Sequence, residues 1–516
     1  MAKKAKISKN IIYSSLYEVL VIIVPLIVSP HVSRALGVEG IGVYSFSLAV
    51  ANYFKRASML GVLKFGNRSI AFVNDDPHER RSSFWTIYTV QACATLLCVL
   101  IYSGYVLLFA RDDMPAIIQY LYILASLFTV SWYFHGREEF RITVVITSLF
   151  KLLYLVGSLT LIKDHGDVNL YIALFALSYL LPSLILFIIA VSREHYVKPT
   201  LEKLKPAIKG MLILFIPVIA VTIYKSMDKL MLGIICDTPY ENGIYENSEK
   251  ILHVPIALIS AVSAVLMPRM TVLFRDSAEK KANTLILRTV KYSAFVSVAC
   301  AFGLAAVSTM FAVVYWGQDF YKCGELLTTF AISIPFMSFA EILRTQYIIP
   351  KKHDKIYIVA VCGAAVINLI INSILIPKIG AEGAVIGTVA SEGAVCIYQA
   401  FMVRRDLPVV KYALQYVKFS IPGAVMYAVL QFLRASMKNS VLHLIELVAI
   451  GGVLYVAVYL LYMAVFERKQ LVSAAKKLAA VVRHRSLSAA ADAPAQTEAP
   501  AETTEEAQTE VSEQKS

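Results

Sequence analysis

Runs of about 20 mostly apolar residues recur along almost the whole chain, and no other feature limits its fold so strongly. At 1.5 Å per residue such a run crosses the ~30 Å hydrocarbon layer of a bilayer as a helix. Fourteen of them lie near 11–33, 42–62, 84–109, 116–135, 141–162, 169–191, 210–235, 251–273, 289–314, 325–349, 356–376, 383–403, 411–433 and 444–466. Only 16 % of the 516 residues are charged, where a soluble domain carries about 25 %. The expected fold class is therefore an all-α polytopic membrane protein with about 14 transmembrane helices. The basic start "MAKKAKISKN" has no cleavage site behind it, so the first helix is expected to be retained.

The net charge of +13 has a topological explanation. Counted from an inside N-terminus, connections such as "KFGNRSIAFVNDDPHERR", "HGREEFR" and "PKKHDK" fall inside and hold most of the Lys and Arg, while the outer "CDTPYENGIYENSE" is acidic. This asymmetry places both termini in the cytoplasm, and directs the basic charge at inner-leaflet lipid rather than nucleic acid. Twelve spans is the competing count. Seven scattered cysteines form no CxxC pair. Cys236 and Cys323 lie near expected outer helix ends, as a pair or as two free thiols.

Features recur at an offset of about 200 residues. "RALGVEGIGVYS" follows Pro25 as "LMLGIICDTPYENGIYENS" follows Pro217, and "LIKDHGDVNLYIALFALSY" resembles "LIPKIGAEGAVIGTVASEG". Six spans separate the copies, an even number, which gives two units of the same orientation. Pro25 and Pro217 are expected hinges, since each removes a backbone hydrogen bond. Residues 471–487 read as a basic amphipathic segment on the inner leaflet. Residues 488–516 are acidic, rich in Ala, Glu, Thr and Pro, and read as a disordered tail.

Ionisable side chains inside spans are costly, and they face cavities or partners. Here they are Glu18, Arg34, Lys55, Arg56, Lys151, Lys225, Asp228, Lys229, Glu341, Arg344 and Glu392. Lys225 and Asp228 share a helix face, as do Glu341 and Arg344, so each pair can neutralise itself. Arg34 is close enough to the interface to snorkel. Lys55, Arg56 and Lys151 have no partner in their own helices, although Glu18 on a neighbouring span is one option. Cations outnumber anions, which suits an anionic ligand such as a diphosphate. The expected substrate cavity is therefore Arg34, Lys55, Arg56, Lys151, Lys225, Asp228, Lys229 and Arg344, with Glu18, Glu341 and Glu392 as coupling candidates. No Walker motif, catalytic constellation, metal-ligand set or cofactor signature is evident.

"VPLIVSPHVSRALGVEGIGVYSFSLAVANYF", "SWYFHGREEFRI", "FIPVIAVTIYKSMDKLMLG", "VLMPRM" and "INLIINSILIPKIGAEGAVIGTVASE" together resemble the bacterial polysaccharide flippases. These are the O-antigen and capsule repeat-unit translocases of the multidrug/oligosaccharidyl-lipid/polysaccharide exporter superfamily. The resemblance covers nearly all of residues 8–470. It implies two six-helix lobes, 1–208 and 209–405, in a V around a central cavity, with two further helices in 406–470. It also implies transfer of an undecaprenyl-diphosphate-linked oligosaccharide from the inner to the outer leaflet of the bacterial cytoplasmic membrane. Such a protein uses an ion gradient, is not an enzyme, and works as a monomer beside a polymerase, a chain-length regulator and glycosyltransferases. Alternatives are a flippase for lipid II or a teichuronic-acid precursor, a multidrug/cation antiporter of the same fold, and a membrane-bound transferase.

Overall fold

A computed structural model describes residues 2–111 and 113–468, so the expected amphipathic segment and acidic tail lie outside the described residues. The chain divides into two compact units, Met1–Tyr455 and Val456–Ser516. Every contact and cavity discussed below lies within the first.

All regular structure among the described residues is helical: α1 (Ala2–Met59), α2 (Val62–Phe72), α3 (Pro77–Phe109), α4 (Met114–Phe128), α5 (Ser131–Gly136), α6 (Phe140–Leu161), α7 (Val168–Arg193), α8 (Leu201–Ile235), α9 (Tyr240–Arg275), α10 (Glu279–Trp316), α11 (Tyr321–Ala331), α12 (Ser333–Leu343), α13 (Asp354–Ile379), α14 (Ala381–Val403), α15 (Val409–Arg434) and α16 (Val441–Phe466). Among the described residues eleven helices are long and apolar enough to cross a membrane, or 13 if each bent pair is one span. The first of these contains a non-helical residue, Gly37 (φ 70°, ψ 178°). Dividing it there recovers the expected pair 11–33 and 42–62, and with it all fourteen segments. Leu96, Leu97, Leu100, Leu107 and Leu108 on α3 are more than half exposed, as a face turned to lipid must be.

The break in α1 falls at Gly37 rather than at Pro25, through which the helix runs on. A positive φ needs glycine, and a Cβ at this position would sit 2.8 Å from the His165 ring. α8 bends by 57° between Ile216 and Val221. Pro217 falls in that break, but its side chain lies outside the described residues. The expected span 116–135 is also interrupted, between α4 and α5. The Gln91 amide donates to the carbonyls of Ser126 (2.6 Å) and Thr129 (3.0 Å) there. This satisfies backbone groups that lipid cannot.

Contacts join connections of the same expected side. Gly37 meets His165, Gly42 meets Pro239, Gly317 meets Arg34 and Gly380 meets Glu241, all at the expected outer end. At the other end Arg80 pairs with Glu194 (2.7 Å), Arg193 with Glu139 (2.6 Å), Lys203 with Glu79 (2.8 Å) and Lys351 with Glu279 (2.8 Å). α1 and α9 cross at the outer end through two glycines. A Cβ on Gly42 would run into the Pro239 carbonyl, and one on Gly243 into the Val38 carbonyl. Each glycine stands four residues after the carbonyl that the other one meets, so the two strands of chain approach in the same way from both sides.

Candidate functional site

Two membrane-depth lysines of the first six spans meet in one aromatic cage. Lys55 Nζ lies 3.5 Å from the ring centre of Tyr122 and 4.1 Å from that of Tyr179. Lys151 Nζ lies 3.8 Å from the same Tyr179 ring and donates to Ser178 Oγ at 3.4 Å. The electron-rich ring faces favour the two ammonium groups but carry no net charge. Among the described residues neither lysine has a carboxylate ion-pair partner. Arg56 is exposed in the next position, and no ion pair joins it to Glu18, which is also exposed. Arg34 stands at the outer end. Its Nη2 donates to the Val314 carbonyl at 2.6 Å, in the last turn of α10, where a cation complements the helix dipole.

The charged residues of spans seven to twelve are arranged differently. A cavity of about 220 Å³ between α8, α9, α12, α13 and α14 is lined by Lys225, Asp228, Glu341, Arg344 and Glu392 among others. Glu341 and Arg344 form the ion pair that their spacing suggests, and Arg344 opens a π-helical turn, Arg344–Ile348. Lys225 and Asp228 do not pair. Asp228 instead accepts from Asn372 Nδ2 (2.5 Å), Tyr245 OH (2.7 Å) and Thr388 Oγ1 (3.0 Å). Glu392 accepts from Tyr224 OH at 2.7 Å. No group of three or more metal-ligating side chains occurs among the described residues.

Lys229 does not line this cavity. It inserts between Glu246 and Glu249, at 2.6 Å from each. Lys250 also meets Glu246 (3.2 Å), and His253 approaches Glu249 (3.7 Å). Ser45 of α1 donates to Glu246 at 3.1 Å, and Asn247 donates to Ser33 at 2.8 Å. The expected span 251–273 begins too late to include these acids. α9 starts at Tyr240, and the stretch read as an acidic outer loop is its buried first part. The spacing of Glu246, Glu249, Lys250 and His253, at i, i+3, i+4 and i+7, was the available signal for one helix face. All seven cysteines are free. Cys323 is buried, with its thiol 3.4 Å from the Ile244 carbonyl.

A family profile described as "Polysaccharide biosynthesis protein" matches residues 7–274. The chain belongs to this family. Among its relatives is a provisionally named O-antigen transporter of Shigella dysenteriae, 23 % identical over 55 % of this chain and 71 % of that protein. A similarly named protein of Escherichia coli K12 is 21 % identical over 56 % of this chain and 68 % of its own length. In fold the family member resembles the lipid II flippase MurJ in an inward closed conformation, with a TM-score of 0.69 over 90 % of this chain and 99 % of that one at 14 % identity. An inward-facing multidrug transporter of the MATE family aligns with a TM-score of 0.58 over 76 % of this chain and 95 % of its own, also at 14 % identity. The profile match ends within α9, and the likeness to MurJ extends the shared fold over the helices beyond it.

Proposed function

We propose that this protein is a flippase that carries an undecaprenyl-diphosphate-linked oligosaccharide from the inner to the outer leaflet of the bacterial cytoplasmic membrane. The observation that carries the proposal is the Lys55–Lys151 cage. Two cations share the Tyr179 ring with no carboxylate beside them among the described residues, and such a pair is stabilised by an anion of matching charge. A diphosphate supplies that charge and several strong acceptor oxygens. Arg56, exposed beside Lys55, adds a planar fork for phosphate oxygens. The names of the O-antigen transporter relatives point to the same class of cargo.

Residues 1–208 and 209–405 act as two lobes that rock about the bound lipid, with 406–470 supplying two further helices. The crossing of α1 and α9 at Gly42 and Gly243 closes the outer side, and opening it requires that the Ser45–Glu246 and Ser33–Asn247 hydrogen bonds separate. Of the three expected coupling candidates only Glu18 lies outside the cavity of spans seven to twelve, and it is the candidate for the ion that drives the cycle. The protein acts as a monomer with both termini in the cytoplasm, upstream of a polymerase and downstream of glycosyltransferases. It transports rather than catalyses.

Complementation of a flippase-deficient strain tests this reading. Lys55→Ala/Lys151→Ala is expected to abolish surface polysaccharide at normal protein level in the membrane. Normal surface polysaccharide from this double variant would remove the cage from the mechanism.

A further inference from the structure

The cavity of spans seven to twelve has no role in the diphosphate site, since neither Lys55 nor Lys151 lines it. Its volume of about 220 Å³ is enough for a cluster of waters or a small polar ligand. Its wall alternates donors and acceptors. Lys225, Arg344 and Tyr224 donate, while Glu341, Glu392 and Gln399 accept. Each of the two glutamates has one protein partner, Arg344 for Glu341 and Tyr224 for Glu392. A carboxylate has about four lone-pair positions, so both retain acceptor capacity.

Gln399 is the residue that calls for a ligand. It is 1 % exposed and lines the cavity. Its Oε1 has no hydrogen-bond partner among the described residues. A buried amide oxygen left unpaired is costly, and a small rotation of the Gln399 side chain, which lines the cavity, brings it to a donor held there. The π-helical turn that starts at Arg344 adds a second irregularity on the same wall. Such turns are frequent at functional sites.

The chemistry narrows the ligand. A simple anion would face Asp228, Glu249, Glu341 and Glu392 together. A bare cation would face Lys225 and Arg344. An apolar group would strip all of these of hydrogen bonds. A neutral polyhydroxylated ring offers a donor and an acceptor at every hydroxyl, and replaces the waters one for one. We propose that this cavity is a saccharide subsite that binds one neutral pyranose of the transported glycan, separately from the cage that binds its diphosphate. The proposal rests on the flippase reading above and deepens it. Recognition of the lipid carrier and recognition of the sugar are then divided between the two halves of the chain.

Binding of two lipids to the purified full-length protein in detergent tests the subsite. One is undecaprenyl diphosphate. The other is the undecaprenyl-diphosphate oligosaccharide extracted from cells that lack this transporter. Gln399→Leu removes the unpaired oxygen at similar volume, and Glu392→Gln keeps the shape of the second acceptor. Either variant is expected to weaken glycolipid binding about tenfold, the scale of one or two hydrogen bonds, and to leave undecaprenyl diphosphate within twofold. Lys55→Ala is expected to weaken both lipids. Equal weakening of both lipids by Gln399→Leu and Glu392→Gln, or unchanged glycolipid affinity, would overturn the subsite. Wild-type protein that binds neither lipid would overturn the flippase reading itself, and the subsite with it.

Discussion

Replacing Lys229 by Met removes the only cation among the described residues within 3.0 Å of Glu249, and the structure sets the size of the effect. Lys229 Nζ lies 2.6 Å from both Glu246 and Glu249, and all three side chains are less than one-fifth exposed. Without it, Glu246 keeps Lys250 at 3.2 Å and the Ser45 hydroxyl at 3.1 Å. Among the described residues Glu249 keeps only His253 as an ion-pair partner, at 3.7 Å and with its side chain 49 % exposed. One carboxylate therefore loses its compensation. Removing one partner of a buried pair costs about 3–5 kcal/mol, or at least about a hundredfold in the folding equilibrium constant. Neutralising the stranded acid recovers most of this. Lys229→Met/Glu249→Gln is thus expected to unfold at a higher temperature than Lys229→Met alone. Thermal unfolding of the four proteins of this cycle in detergent measures the coupling. A Lys229→Met protein that melts with the wild type would refute the assignment of Lys229 to an ion network, and would return it to the substrate cavity.

The outer closure is tested through a thiol that the chain already has. Cys323 is buried near Ile244. In a chain with the other six cysteines replaced, it is expected to resist a membrane-impermeant maleimide in the parent and to react after Gly243→Ala, because the new methyl pushes α9 off the Val38 carbonyl. Continued protection would show that the glycine crossing is not the closure. For topology, a single cysteine at the exposed Asp237 is expected to label from outside intact cells, and one at the exposed Lys281 is not. The reverse pattern would invert the charge argument.

The spans were legible because run length and the side-by-side bias of Lys and Arg act independently of tertiary contacts. The break between the first two was legible as well, since the expected spans end at 33 and resume at 42, and the chain turns between them at Gly37, with a φ of 70°; which of the glycines at 37, 40 and 42 makes the turn was not. The stretch Cys236–Glu249 read as a loop because Asp, Pro, Asn and Gly are turn residues. In the folded chain its asparagines and glutamates are paired inside. Asn242 donates to the Lys229 carbonyl at 3.0 Å, and Glu246 and Glu249 clasp Lys229. Local pairing such as Glu341–Arg344 follows from helix spacing. The partners of Asp228 come from residues 245, 372 and 388. The rings around Lys55 come from residues 122 and 179. No periodicity within one segment announces either arrangement.

Flipping by the reconstituted protein bears most directly on the central proposal. Vesicles containing the protein would carry labelled undecaprenyl-diphosphate oligosaccharide in one leaflet, and its arrival in the other leaflet would be followed with an impermeant glycan-modifying enzyme. Rapid transfer is expected with wild-type protein, and transfer at the protein-free rate with Lys55→Ala/Lys151→Ala. Transfer at the protein-free rate with correctly folded wild-type protein, under every ion gradient tried, would contradict the account.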